Sequence, residues 1–232
     1  MNSQFISRLN YLIDDYDLLR HPFYVRWNRG ELTESELQIY TKEYFLFVKA
    51  IPTYVSAIHS NCKEHSLRLS ILENLVEEET GGDGLIPHEE LWVWFARGVG
   101  VDREELYSNC GAVGTRKLLL TYRNLCSSSN CAVGAAAMYA YESRIPEIAE
   151  SKMEGLQQHY NVSDEETLRF FREHMVADIE HSKTWAQLIS QMATTEEIQT
   201  QIEEAVSKAA RSLWRMLDGV CEQCGIPVKN EA

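Results

Sequence analysis

The chain has 232 residues, enough for one domain with a sizeable buried core, and its 44% apolar content excludes a disordered polyelectrolyte. Only 12 glycines and 5 prolines favour helices over a turn-rich sandwich or barrel. Lys and Arg number 22 against 35 Asp and Glu, a formal charge of −13 that repels nucleic acid and anionic lipid, so neither is expected as a partner.

The N-terminal stretch MNSQFISRLNYLIDDYDLLR carries acids and lacks the unbroken apolar run of a signal peptide. No later window approaches the ~18 consecutive apolar residues of a membrane span. The cysteines Cys62, Cys110, Cys126, Cys131, Cys221 and Cys224 are too scattered for a disulfide scaffold, so reduced thiols and a cytoplasmic location are expected.

Apolar spacing predicts helices over 3–20, 34–60, 64–80, 88–98, 103–108, 113–126, 131–159, 164–192 and 195–222. Breaks fall at Asn28-Arg29-Gly30, at 81–84 and at 127–130. Thr33-Glu34-Ser35-Glu36 reads as a capping box, and Ser163–Glu166 and Thr194–Glu197 repeat the pattern. Pro52 and Pro146 fall inside helical runs and predict kinks. With no stretch of period two, the expected architecture is an all-α bundle forming a single domain over 1–232, with its core at about 3–222 and a tail at 223–232.

The chemistry-bearing segment is His174-Met175-Val176-Ala177-Asp178-Ile179-Glu180-His181. His174, Asp178 and His181 stand at i, i+4 and i+7 and so share one helix face, with ligand types suited to iron, manganese or zinc. A solvated polar face would look the same. Glu77-Glu78-Glu79, of which at least two should be exposed, precede His88 across a glycine-rich break. Glu142 follows a run of small residues and a Tyr139/Tyr141 pair; a buried Glu there needs a partner, either a cation or a base such as Arg144. Together these helices offer three imidazoles and three carboxylates, close to the inventory of bundle-core di-metal sites but without their i, i+3 Glu/His motif.

Several motifs resemble the CADD-type proteins, the chlamydial protein associating with death domains and its bacterial relatives. They are His21-Pro22-Phe23-Tyr24-Val25-Arg26-Trp27 with Gly30-Glu31-Leu32-Thr33, then Tyr40 with Lys42, Ala50 with Pro52, and Ser56-Ala57-Ile58-His59-Ser60. Tyr141-Glu142-Ser143-x-Ile145-Pro146-x-Ile148-Ala149 and Glu173-His174-x-x-Ala177-Asp178-x-x-His181 continue the likeness, which runs from about residue 10 to 190. The loop between Glu78 and His88, with Gly81, Gly82 and Gly84, looks longer than in the chlamydial protein.

The resemblance implies a haem-oxygenase-like, seven-helix bundle related to TenA-type thiaminases and PqqC-type oxidases. It implies two metal ions, iron with iron or manganese with iron, held by Glu78, His88, Glu142, His174, Asp178 and His181. Dioxygen and an external reductant would complete the requirements. The implied activity is formation of p-aminobenzoate, a folate precursor, with Tyr24 as the source of the ring, Lys152 as the amine donor, and Tyr40 and Tyr141 beside the cavity. A homodimer is expected for this group, and the electron donor has no signature in the sequence.

Three other readings stand beside this one. A TenA-type hydrolase would use a cysteine nucleophile, with Cys131 the best placed because a helix N-terminus would lower its pKa. A protein-binding module, by analogy with the death-domain association of the chlamydial relative, would need a docking surface that the sequence does not single out. Cys221-Glu222-Gln223-Cys224 has the spacing of a redox or zinc half-site, with no second pair nearby.

Overall fold

The computed structural model describes residues 2–81 and 86–228. Among them lie eleven α-helices and no strand: α1 (Asn2–Asp14), α2 (Pro22–Asn28), α3 (Glu34–Asn61), α4 (His65–Thr80), α5 (His88–Gly98), α6 (Arg103–Ser108), α7 (Val113–Cys126), α8 (Cys131–Glu142), α9 (Ile145–His159), α10 (Glu165–Met192) and α11 (Glu196–Cys224). No described helix is long and apolar enough to cross a membrane.

The all-helical, single-domain expectation stands, with more segments than the seven expected from the resemblance. Two local causes account for much of the excess. The first expected helix stops at Asp14, a 3-10 turn occupies Leu18–Arg20, and α2 then starts afresh. His21 caps α2, its Nδ1 accepting from the Phe23 amide at 3.1 Å, and Pro22 sits in the first turn where no amide is needed. The expected 131–159 helix divides at Ser143-Arg144, because Pro146 opens α9 instead of kinking a continuous helix. Pro52 does lie inside a continuous α3.

The Thr33 capping box forms in both directions, Glu36 N to Thr33 Oγ1 at 3.3 Å and Thr33 N to Glu36 Oε2 at 2.7 Å. The other two caps move by one residue. Asp164, not Ser163, accepts from Thr167 N at 2.8 Å, a carboxylate at the positive end of the helix being the better acceptor. Thr195, not Thr194, accepts from Ile198 N at 3.3 Å, since the Thr194 amide is turned back to the Met192 carbonyl. The last helix ends at Cys224, so only the residues after it form a tail; of these, 229–232 lie outside the described residues, as do Gly82 and Gly84.

The bundle is organised around α8. Eleven of its residues are buried, and their small side chains let α3, α7, α9, α10 and α11 all pack against it. Glu142, its last residue, is thereby carried into the middle of the protein. On α10, Leu168, Phe171, His174, Asp178, His181, Trp185 and Leu188 recur at helical spacing on the inward face. Trp27, Trp92 and Trp185 are fully buried, each contributing roughly 1.5–3 kcal/mol of apolar burial. Trp27 also fixes α2 to α9: its indole Nε1 donates to the Lys152 carbonyl at 3.1 Å, and a Cβ on Gly155 would come within 2.7 Å of its ring.

Candidate metal centre

Four helices bring the six expected ligands into two buried triads. Glu78, in the last turn of α4, meets His88, the first residue of α5, and His174 of α10; the donor atoms lie within 4.8 Å of one another. Glu142, Asp178 and His181 form the second group within the same limit. None of the six is more than 5% exposed. The shared α10 face joins the two triads, because His174 lies one turn before Asp178 and two before His181.

The contacts inside each triad are close without being mutual hydrogen bonds. His88 Nδ1 lies 3.0 Å from Glu78 Oε2, yet that nitrogen has no well-formed hydrogen bond among the described residues. His181 Nδ1 stands 3.4 Å from Asp178 Oδ1 and 3.9 Å from Glu142 Oε2 and is likewise unpartnered. Glu142 Oε1 and Asp178 Oδ2 complete a set of four orphaned buried atoms. Orphans of this kind are expensive in a protein interior, and their convergence fits two cations with oxygen and nitrogen donors.

Outer hydrogen bonds orient these side chains. His174 Nδ1 donates to the Phe170 carbonyl at 2.7 Å, which leaves Nε2 with its lone pair free. His181 Nε2 donates to Glu77 Oε2 at 2.9 Å, which presents Nδ1 to Asp178 and Glu142. Trp185 Nε1 donates to Glu142 Oε2 at 2.6 Å. Arg144 instead pairs with Asp14, so Glu142 has no basic residue of its own chain segment. Of the three consecutive glutamates only Glu79 is exposed, one fewer than the expected two, because Glu78 is buried in the triad and Glu77 is half-buried on His181.

The protonation pattern is that of a site short of positive charge. Burial alone would raise Glu78, but the His88 imidazole against it holds it down to about 2. Burial pushes Asp178 up to about 6 and Glu142 well above the carboxylate range. His174 is driven down to about 3 by burial and then by the neighbouring His88. Burial opposes the charge on His181, yet Asp178 and Glu77 raise it to about 11. Divalent cations among these groups would let all three carboxylates ionise and the histidines stay neutral.

Beside the triads lies a tyrosine cluster. Lys152 of α9, 4% exposed, donates from Nζ to the Tyr40 hydroxyl at 2.6 Å, and the Tyr40 and Tyr24 hydroxyls are 2.9 Å apart. The ammonium position also lies 4.8 to 5.1 Å from the ring centroids of Tyr24, Tyr40 and Tyr44. Burial lowers its pKa to about 7. Tyr141 is separated from this group by Tyr44, with which it shares a hydroxyl–hydroxyl bond of 2.7 Å. Sequence reasoning missed Tyr44, which stands one turn after Tyr40 on α3 and stacks on it at 5.5 Å. It also missed Glu77 and Trp185, whose roles arise from contacts distant in sequence.

An aromatic series connects the two regions. Phe170 stacks on His174 at 4.0 Å, Trp92 meets Phe170 at 4.7 Å, Tyr44 meets Trp92 at 4.9 Å, and Tyr40 follows. The cysteines take no part. Cys131 does start a helix, but burial pushes its thiol up to about 12, the reverse of an activated nucleophile, and its Sγ rests 3.4 Å from Met192 Sδ. Burial likewise raises Cys221 to about 12 and Cys224 to about 11.

Comparison with known proteins identifies the family. The TENA/THI-4/PQQC family description matches residues 8–219. A 4-aminobenzoate synthase from Chlamydia muridarum is 35% identical over 222 residues, covering 96% of this chain and 92% of the relative. Another from Nitrosomonas europaea is 36% identical, covering 94% and 91%. Among solved structures, a haem-oxygenase-like domain from Shewanella denitrificans superposes with a TM-score of 0.80 at 17% identity, covering 97% of this chain and 93% of that one. The chain belongs to the TENA/THI-4/PQQC family, with the 4-aminobenzoate synthases among its full-length relatives.

Proposed function

We propose that the protein is a di-metal, oxygen-dependent oxidase that forms 4-aminobenzoate from its own Tyr24, with Lys152 as the nitrogen donor. The observation that carries this reading is the hydrogen-bonded series Lys152–Tyr40–Tyr24, buried beside six converging metal-type ligands. The relatives named 4-aminobenzoate synthase, similar over almost the whole chain, support the same product.

The product dictates what must happen to the tyrosine. Its ring bears a carboxylate opposite an amine, whereas tyrosine bears a methylene opposite a hydroxyl. The Tyr24 Cα–Cβ bond must therefore break and Cβ must be oxidised to carboxylate at the expense of dioxygen; the phenolic oxygen must leave as water when the ring carbon bonds to Lys152 Nζ, and the Lys152 Cε–Nζ bond must then break to free the aromatic amine. When bound, two iron ions, or manganese with iron, supply the reductive activation of dioxygen, with electrons from an external reductant.

The chain's own residues do the rest. Trp27 holds α2 against α9, which keeps the Tyr24 ring beside the Lys152 amine. Burial keeps a substantial fraction of that amine uncharged near neutral pH, so its lone pair is available. The same burial holds Tyr24, Tyr40 and Tyr44 as neutral phenols, which give up an electron only as the proton moves to a neighbour. The hydroxyl contact between Tyr24 and Tyr40 provides such a neighbour. Tyr44 and Trp92 lie in contact between that pair and the ligand His174, a short path for oxidising equivalents.

Protein made with ring-deuterated tyrosine and reacted with oxygen, reductant and unlabelled free tyrosine tests this directly. The reading expects deuterated 4-aminobenzoate, at no more than one molecule per chain. Unlabelled product, or many turnovers per chain, would point to an external substrate.

A further inference from the structure

We propose that the groove between α7 and α11 is a binding site for an organic phosphate: an anion of two or more charges attached to an apolar body. The two helices touch at one end, where a Cβ on Gly114 would come within 2.9 Å of the Arg215 carbonyl oxygen. At the other end Asn130, just beyond α7, donates to Gln201 at 2.9 Å, so the helices run antiparallel. Their outer faces leave a groove of about 500 Å³ between them, within the usual range for a small-molecule site.

Its lining departs from the acidic balance of the chain. Lys117 comes from α7, and Lys208, Arg211 and Arg215 follow at i, i+3 and i+7 on α11. Among the described residues no acidic side chain lines the groove, although acids outnumber bases 35 to 22 in the chain. Arg211 is held by uncharged groups, its Nε donating to the Tyr16 hydroxyl at 2.9 Å and its guanidinium lying over the Tyr16 ring. Lys208 meets Glu204 at 3.4 Å, outside the groove, and Lys117 and Arg215 have no ion-pair partner among the described residues. The mutual repulsion of these four cations is relieved when an anion enters.

Ligand class follows from the charge and the walls. Four cations call for a multiply charged anion, and guanidinium groups suit phosphate oxygens. Leu120, 57% exposed, and Leu125 offer an apolar wall that an inorganic ion would leave uncovered. A long polyanion fits poorly, because the charged α11 face from Lys208 to Arg215 spans about two turns, roughly 10 Å, and the chain as a whole is strongly acidic.

Calorimetric titration with ADP and with inorganic pyrophosphate, on the metal-loaded protein at low and moderate salt, tests the site. The expected result is one ADP per chain, binding tighter than pyrophosphate and weakening with salt. A Lys117→Glu, Arg215→Glu double variant with unchanged far-ultraviolet dichroism should bind ADP at least tenfold more weakly. The proposal falls if ADP does not bind at low salt, or if pyrophosphate binds as tightly as ADP. It falls equally if the double variant binds ADP like the parent, which would locate the phosphate elsewhere, on the metal ions for example.

Discussion

Lys152 Nζ donates to the Tyr40 hydroxyl at 2.6 Å, and that hydroxyl in turn lies 2.9 Å from the hydroxyl of Tyr24. A buried amine is thus tied, through one phenol, to the residue proposed as the source of the product ring. The consequences extend to pH, stability and rate.

Burial lowers the Lys152 pKa to about 7 in the folded protein, against about 10.4 for an unfolded chain. Between those values the unfolded chain binds a proton that the folded chain lacks, so this group's contribution to stability rises with pH across that window. Below pH 7 both states are protonated and the burial penalty is complete. Lys152→Met should therefore gain most on the parent near pH 6, with the gap shrinking by on the order of 4 kcal/mol toward pH 10. Urea titrations of both proteins across that range check the slope, and a constant gap contradicts it. In the parent, product formation should increase through about pH 7 as the amine loses its proton.

Glu77 orients His181 by accepting its Nε2 proton at 2.9 Å. Glu77→Gln keeps the side chain's size but removes the charge that makes the imidazole a strong donor. Loss of such an outer carboxylate weakens metal binding about 10–100-fold. Chelator competition should detect that loss with the helical spectrum unchanged, and parent-like affinity would remove Glu77 from the metal centre.

Tyr44→Phe retains the stacked ring between Tyr40 and Trp92 but deletes the hydroxyl bonded to Tyr141. Leaving the Tyr141 hydroxyl unpaired should destabilise the fold by about 1–3 kcal/mol. Phenylalanine is also much harder to oxidise, so product formation should slow at least tenfold while the metal content stays full. An unchanged rate would mean that oxidising equivalents reach Tyr24 by another route.

Metal removal should lower stability as well as activity. Without cations, Glu142 and Asp178 are pushed toward neutrality and four buried polar atoms of the two triads lack partners among the described residues. Thermal scans with and without chelator should differ by several degrees, because metal that binds only the folded state stabilises it. Equal midpoints would count against the two triads as metal sites.

Much of this was legible in the sequence, for a reason visible in particular residues. His174, Asp178 and His181 lie on one helix, so their shared face follows from helical spacing alone. The Thr33 cap and the proline inside α3 are equally local. Glu78, His88 and Glu142 were tied to that face by resemblance, since the helices that carry them meet only through tertiary packing. The same limit hid Tyr44, Glu77 and Trp185, each of which acts on a partner 43 or more residues away. Cys131 misled because a helix N-terminus is readable in sequence whereas the burial that overrides it is not. The split of the 131–159 run was missed because Pro146 suits a first turn as well as an interior kink.

The most direct measurement of the central claim is the mass of the tryptic peptide His21–Arg26, taken before and after the reduced, metal-loaded protein meets oxygen. The parent peptide should disappear in step with the appearance of 4-aminobenzoate, replaced by one in which residue 24 has lost its ring. Product formed while this peptide keeps its full mass would contradict the account, and Tyr24 would then be a bystander to the chemistry.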